Sequence, residues 1–493
     1  MAKPIMIQGT MSNVGKSLLT TALCRIFVQD GYKVAPFKSQ NMALNSYVTP
    51  DNLEIGTAQA VQAEACKILP DVIMNPILLK PTTNSGSQVI INGEVYGNMR
   101  AFDYFRNKKK FLPYVMDAYE KLNQNYDIIV IEGAGSPVEM NLKKDDIVNM
   151  GLAQTVKSPV LLVGDIDRGG VFAQLLGTLS LLEESELNLV KGLIVNKFRG
   201  DQRLFADGIK ILEERGKKPV LGVVPFTDCQ IDGEDSLCDT LHNTGNTLID
   251  IAVIRLPKLA NYTDFAVFQQ YENVAVRYVE RAEDLQNPDM IIIPGTKSTI
   301  ADMQWLRTSH LEKAIKDCHA RQIPIFGICG GYQILGRMIS DPDHIENGGE
   351  ITGMGLLDID TMFSDQKKRT NTTGKIICTD GFFSTLNNAE FYGYEIHMGK
   401  TTVNEPSFAV KDNSAVDGAY HENVAGTYLH GIFDSQSVSE RLVNALFRKK
   451  GIVQRVHATD RKTYKEIQYN LLADTVRKHL DMKQIYQIIK EGV

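Results

Sequence analysis

The stretch that most constrains this chain is Gly9-Thr10-Met11-Ser12-Asn13-Val14-Gly15-Lys16-Ser17, near its N-terminus. A short apolar run, Pro4 to Gln8, leads into it, and a run with helical spacing (Leu18, Leu19, Ala22, Leu23, Ile26, Phe27) leaves it. The pattern predicts a strand, a glycine-rich turn and a helix. In such a turn the backbone N–H groups converge and the helix N-terminus adds partial positive charge, a cradle for a polyphosphate. Gly9, Thr10, Asn13, Val14 and Gly15 supply the loop, Lys16 reaches the outer phosphates, and the Ser17 hydroxyl is placed to ligate Mg²⁺. Five residues, not the usual four, separate Gly9 from Gly15.

Strand and helix signals alternate for about 225 residues beyond this turn, which implies a parallel sheet covered on both faces. A strand around Lys33–Phe37 ends in an amide-rich loop holding Lys38, Gln40, Asn41, Asn45 and Ser46, and Glu54 to Leu69 reads as a helix. Lys108-Lys109-Lys110 reads as a solvated basic face at the start of another helix. The apolar run Asp127–Ile131 ends in Glu132, a carboxylate at a strand edge beside the phosphate loop and so a candidate to position Mg²⁺. Two further strand ends carry Asp165, Asp167 and Arg168, and then Asn196-Lys197, where Asn196 is a candidate for reading a nucleotide base. Ligands of open α/β sheets bind at such strand ends.

The polar stretch Asp228–Thr247 reads as a linker. A second α/β pattern follows, with strands at Ile249–Ile254, Met290–Pro294 and Pro324–Ile328. The expected organisation is therefore α/β, with two doubly wound domains at 1–235 and 248–445 and a helical extension at 446–493. The third strand runs into Cys329-Gly330-Gly331-Tyr332-Gln333, which has the form of a nucleophile elbow. A thiol at a helix N-terminus is partly activated, and backbone N–H groups beside it can stabilise an oxyanion. Of the nine histidines, His430, ending an apolar strand about one hundred residues later, is best placed as its base.

A net charge of −6 argues against a nucleic-acid or anionic-membrane partner. Seven cysteines without a close pair, no signal-like N-terminus and no membrane-length apolar run predict a cytoplasmic protein. Oligomeric state is not legible.

Gly327-Ile328-Cys329-Gly330-Gly331-Tyr332-Gln333 resembles the nucleophile motif of class I glutamine amidotransferases, which release ammonia from glutamine through a cysteinyl thioester. The resemblance implies a flavodoxin-like domain with Cys329 and His430 catalytic and the N–H groups of Gly295 and Gly330 as oxyanion donors. That family usually has a glutamate two residues after the histidine; Ile432 stands there, and Asp434 and Glu395 are both candidates for the missing third group. The N-terminal half resembles dethiobiotin synthetase, which shares the longer loop, and this implies ATP as co-substrate with Ser17, Glu132 and Glu54 around Mg²⁺. Together with Lys38-Ser39-Gln40-Asn41-Met42, Asp165–Phe172 and Gly393–Gly399, the architecture is similar to that of the cobyrinate amidases of cobalamin biosynthesis. The resemblance implies ATP- and glutamine-dependent amidation of a corrinoid polycarboxylate, at the b, d, e and g carboxylates of adenosylcobyrinic acid a,c-diamide. Lys38, Gln40, Asn41, Asn45, Ser46, Asp165, Asp167 and Arg168 become candidates for the acceptor site. The alternatives are the sister activity on the a and c carboxylates, a cell-wall amidating complex and, from another class, a ParA-like ATPase switch.

Overall fold

The computed structural model describes residues 1–493 except 82–85, 228, 232–246, 347, 454, 455 and 458. Most of the expected linker at 228–247 therefore lies outside the described residues. The chain forms two compact units that are not continuous in sequence: Met1–Ala43, Leu53–Ser236 and Lys465–Val493 make the first, Leu44–Asn52 and Leu237–Tyr464 the second. Among the described residues no helix is long and apolar enough to cross a membrane.

The first unit is built on a six-stranded sheet in the order Val220–Pro225, Val190–Phe198, Val160–Asp165, Lys3–Gly9, Ile128–Glu132, Val34–Phe37. Every pairing is parallel. Alternate residues face opposite sides, and both sides are apolar. Ile5, Ile7, Ile128 and Val130 join one core with Leu19, Leu23, Ile26 and Phe27 of the helix Lys16–Gln29. Met6, Ile129 and Ile131 join the other core with Val115, Leu122, Leu175 and Leu179. Burial on both faces is why these strands read as continuous apolar runs. All six strands point the same way, so the phosphate loop, Glu132, Lys38, Asp165 and Asn196 lie at or just beyond one edge of the sheet.

Two expectations are corrected here. Residues Glu54–Gly56 are a strand, and the helix is Thr57–Ala65, shorter than Glu54–Leu69. Gly56 is extended (φ −60°, ψ 134°), so helical geometry starts only after it. Lys108 is not a solvated residue: it is buried and its Nζ donates to the Leu142 carbonyl at 3.2 Å.

The helical extension is not a third body. Its helices Arg461–His479 and Met482–Glu491 place Tyr469, Leu472, Val476, Ile485 and Ile489 in the same core as the phosphate-loop helix. Arg25, almost fully buried on that helix, meets Glu466 at 2.5 Å and Asn470 at 2.9 Å. Arg477 and Tyr486 both engage Asp30. Leu472 has no exposed surface. Leu472→Ala should cost about 2–5 kcal/mol, the range for emptying a packed leucine site, and should lower ATP affinity along with the melting temperature. Calorimetry with and without ATP measures both; an unchanged ATP-induced shift would show that the extension does not support the nucleotide unit.

The second unit holds a six-stranded sheet ordered Val274–Val279, Ile249–Ile254, Met290–Ile293, Ile325–Ile328, Val424–Thr427, Ala419–His421, parallel but for the last pair. A second, largely antiparallel sheet is dominated by the long strands Ile359–Ile376 and Glu390–Val403. The short strand Leu429–His430 pairs with it at Tyr394 and Glu395.

Candidate functional site

In the first unit Glu132 is fully buried, and the structure gathers donors around its carboxylate. Ser17 Oγ donates to Oε1 at 2.8 Å, Lys38 Nζ reaches the same oxygen at 3.0 Å, and Gln62 Nε2 donates to Oε2 at 2.6 Å. Lys16 Nζ bridges the carbonyls of Met11 (2.9 Å) and Gly135 (3.0 Å), folded across the mouth of the loop. Asn13 and Gly15 hold the left-handed conformations (φ 61° and 99°) that turn the loop's N–H groups inward. Glycine is required at 15 for a second reason: a Cβ there would lie 2.1 Å from Asn196 Nδ2. The Asn196 amide donates to the Val14 carbonyl at 2.8 Å and is buried, so it braces the loop. Thr10 Oγ1 meets Gln174 at 3.2 Å.

The hard oxygens of Ser17 and Glu132, 2.8 Å apart beside a phosphate cradle, are the donor chemistry that Mg²⁺ takes. Glu54 is in a different pair: Lys80 Nζ meets it at 2.7 Å, both side chains buried. The acceptor candidates also divide. Gln40 accepts from Tyr104 at 2.6 Å and Asn41 donates to Gln59 at 2.9 Å within the first unit, whereas Asn45 and Ser46 belong to the second. Asp165 is held by Lys197 at 2.9 Å and Asp167 by Arg199 at 2.7 Å, while Arg168 is exposed.

In the second unit Gly295, Cys329 and His430 follow the C-terminal ends of three adjacent parallel strands, which is how residues far apart in sequence meet. Cys329 is the tight turn itself, with φ 51° and ψ −107°, outside the ordinary range for a side-chain-bearing residue. Its N–H is tied to the Thr427 carbonyl at 2.8 Å, and the helix Gly330–Leu335 starts immediately after it. A Cβ on Gly295 would stand 3.1 Å from His430 Cε1 and 3.8 Å from Cys329 Cβ, so this turn closes directly over the pair. His430 is buried beside this turn, and Cys329 is among the groups that raise its pKa.

The carboxylate that meets His430 belongs to neither Asp434 nor Glu395. Asp264 Oδ2 lies 2.7 Å from His430 Nδ1, and its Oδ1 accepts from Gly431 N–H at 2.8 Å. Asp434 is paired with Arg461 at 3.3 Å. Glu395 is held by Lys368 (2.9 Å) and Lys411 (3.0 Å), beside a cavity of about 670 Å³ also lined by His397 and Tyr428. Burial would raise the Glu395 pKa, but His397, Lys368 and Lys411 outweigh it and hold it near 2. Asp264 sits 166 residues before its histidine, and no motif flags it. What distinguishes it is conformation: it lies in the 3₁₀ turn Tyr262–Gln270, entered through Asn261 in the left-handed region (φ 54°, ψ 46°).

Burial alone would lower the His430 pKa. The Asp264 charge and hydrogen bond, with Cys329, overcome this and raise it from 6.5 to about 10. A raised histidine pKa means stabilisation that is complete below about pH 6.5 and lost as pH climbs through about 10. Asp264→Asn should therefore destabilise the protein most at acidic to neutral pH, with the melting-temperature gap from wild type closing towards pH 10. It should also slow glutamine hydrolysis by at least ~10²-fold, since the imidazole loses its orienting charge. A gap that widens with pH would reject the pairing.

A P-loop nucleotide-binding unit joined to a unit with a cysteine elbow, a histidine and a carboxylate defines an ATP-using glutamine amidotransferase. Residues 5–235 match the CobQ/CobB/MinD/ParA nucleotide binding domain family, and residues 250–438 the CobB/CobQ-like glutamine amidotransferase domain family. The chain is 53% identical over 513 residues to a cobyric acid synthase of Lachnoclostridium phytofermentans, covering 100% of both chains. A cobyric acid synthase of Ruminiclostridium cellulolyticum is 53% identical over 504 residues, covering 100% of this chain and 98% of that one. One from Dehalococcoides mccartyi is 48% identical over 507 residues, with 100% and 99% covered. The chain belongs to the cobyric acid synthase family and is a glutamine-hydrolysing ligase with ATP as co-substrate.

Proposed function

We propose that the chain amidates the b, d, e and g side-chain carboxylates of adenosylcobyrinic acid a,c-diamide, giving adenosylcobyric acid. The observation that carries this reading is the pairing, within one chain that matches cobyric acid synthases over its whole length, of the Cys329–His430–Asp264 cluster with the Ser17–Glu132 phosphate-loop cluster.

The Cys329 thiolate, paired with protonated His430, attacks the glutamine carboxamide carbon. The resulting oxyanion is met by the N–H groups of Gly330 and Gly295. His430 gives its proton to the departing ammonia, leaving a γ-glutamyl thioester. Water, one proton passed to His430, then attacks the thioester, expels the Cys329 thiolate and releases glutamate, which restores the thiolate and protonated His430. Asp264 keeps the imidazolium oriented throughout.

A carboxylate is a poor electrophile because oxide is a poor leaving group. In the first unit one carboxylate oxygen of the acceptor attacks the γ-phosphorus of ATP and ADP leaves, which creates an acyl phosphate. Ammonia then displaces phosphate and forms the amide. Lys16 clamps the outer phosphates, and Ser17 and Glu132 would hold Mg²⁺, whose chemistry is charge neutralisation on the polyphosphate. Lys38, 3.0 Å from the Glu132 carboxylate, is a further basic group of the same cluster.

Each amidation removes one negative charge, so products separate by anion exchange. The a,c-diamide incubated with ATP, Mg²⁺ and glutamine should give transient intermediates and a final tetra-amidated product, with one ATP and one glutamine consumed per amide. An unchanged a,c-diamide, with cobyrinic acid gaining two amides instead, would assign the sister activity; no change in either would reject the corrinoid acceptor.

A further inference from the structure

Five residues after Lys38, the chain leaves the first unit at Ala43, and Leu44–Asn52 is part of the second. Within that unit this short segment meets the turn that carries Asp264. Asn45 Oδ1 accepts from the Asn261 backbone N–H at 2.6 Å, and Ser46 N–H donates to Asn261 Oδ1 at 3.2 Å. Asn261 is thus gripped by backbone and by side chain, and Asn45, Ser46 and Asn261 are all buried. Its carbonyl accepts from Asp264 N–H at 3.1 Å, and its Nδ2 lies 3.2 Å from His430 Nδ1. On the other side the Tyr394 hydroxyl donates to the Ser46 carbonyl at 3.3 Å, and the Tyr394 ring stacks on His430 with centroids 5.3 Å apart. Two separate contacts therefore lead from residues 45–46 to the same imidazole.

We propose that Asn45 and Ser46 are positioning residues of the glutaminase, holding Asn261 in its left-handed turn so that Asp264 and the Tyr394 ring fix His430 against Cys329. Asparagine adopts left-handed geometry more readily than other side-chain-bearing residues, but its exact φ and ψ are set by its neighbours. The two hydrogen bonds from residues 45–46 grip Asn261 in that geometry. Without the Asn45 carbonyl the Asn261 N–H loses a buried acceptor, the turn relaxes, and the Asp264 carboxylate leaves the line of Nδ1–H. A displacement of about 1 Å in such a group can cost ~10²-fold in rate. The segment is also continuous with the Lys38–Asn41 stretch, so the glutaminase site is completed by residues that the synthetase loop delivers along the chain.

The inference rests on the Cys329–His430 glutaminase reading, and Cys329→Ala in the same experiment tests that separately. In the full-length protein, Asn45→Ala should lower kcat for glutamine hydrolysis at least ~10-fold while KM for glutamine stays within about twofold, since the group acts on His430 and not on bound glutamine. Asn45→Asp, which keeps the Oδ1 acceptor, should recover kcat to within about threefold. In Asn45→Ala the fall in glutamine-supported amidation should exceed any fall in ammonium-supported amidation at least ~fivefold. Asn261→Gly, which tolerates the left-handed turn but removes the side chain that Ser46 grips, should reproduce the kcat loss and covers the case in which Asn45→Ala does not fold. A wild-type kcat in Asn45→Ala, an Asn45→Asp enzyme as slow as Asn45→Ala, or an equal fall in ammonium-supported amidation would each overturn the proposal. The last of these would return Asn45 to the acceptor site. Loss of glutaminase in the Asn45 variants together with full glutaminase in Cys329→Ala would reject the glutaminase reading itself.

Discussion

Replacing Cys329 by alanine is expected to abolish amidation with glutamine and to leave amidation with a high concentration of ammonium close to the wild-type rate. The thiolate is the only atom in the proposed scheme that bonds covalently to glutamine, so its loss removes the thioester route entirely. In that scheme the acyl phosphate would form in the other unit, around Ser17 and Glu132, and would need nothing from Cys329. The substitution removes one small, nearly buried sulfur atom, which the packed elbow can absorb. Product formation measured side by side with the two nitrogen sources reads both arms. Equal loss in both, with an unchanged melting temperature, would mean that Cys329 is not confined to glutamine hydrolysis.

Lys16→Ala and Glu132→Ala should lose amidation with either nitrogen source, because phosphoryl transfer precedes ammonia attack. Removing a preorganised charge from a phosphate clamp costs on the order of 10³-fold, about 4 kcal/mol of transition-state stabilisation. Glu132→Ala has a further effect that Lys16→Ala lacks. It leaves Lys38, Ser17 and Gln62 without the buried carboxylate they all address. Three donors then lose a charged acceptor at once, so this variant should also melt lower. Glutaminase activity assayed alone should survive in both variants. A residual amidation rate within tenfold of wild type would show that these residues are misassigned.

What could be read before the fold was known follows from how local each signal is. The phosphate loop and the cysteine elbow are continuous in sequence and depend on backbone shape, so residue order alone displays them. His430 needed the further premise that a nucleophilic thiol has a basic partner, and Glu132 needed a neighbouring strand; both follow from parallel sheet order. Asp264 depended on no such rule. It reaches His430 through a 3₁₀ turn rather than a strand end, from a stretch whose composition is ordinary, and the family habit of a carboxylate two residues past the histidine pointed elsewhere. Glu54, which the resemblance puts near the metal, forms a buried pair with Lys80, a contact between two segments that residue order does not display. The amphipathic pattern of the extension displayed helices but carried no mark of which core would take their apolar face.

That return of the chain has a consequence for biogenesis. A ribosome makes the phosphate-loop helix well before residues 465–491, which follow the whole of the second unit. Until the terminal helices emerge, Phe27 and Ile26 lack the apolar partners supplied by Leu472, Ile485 and Ile489, and Arg25 has no Glu466 opposite it. The nascent N-terminal unit therefore spends most of translation with an unfinished apolar flank, the condition under which partly folded chains aggregate. A synthetase fragment cut at residue 235 inherits the same gap permanently. Co-expressing it with a peptide spanning 461–493 would supply the missing flank in trans.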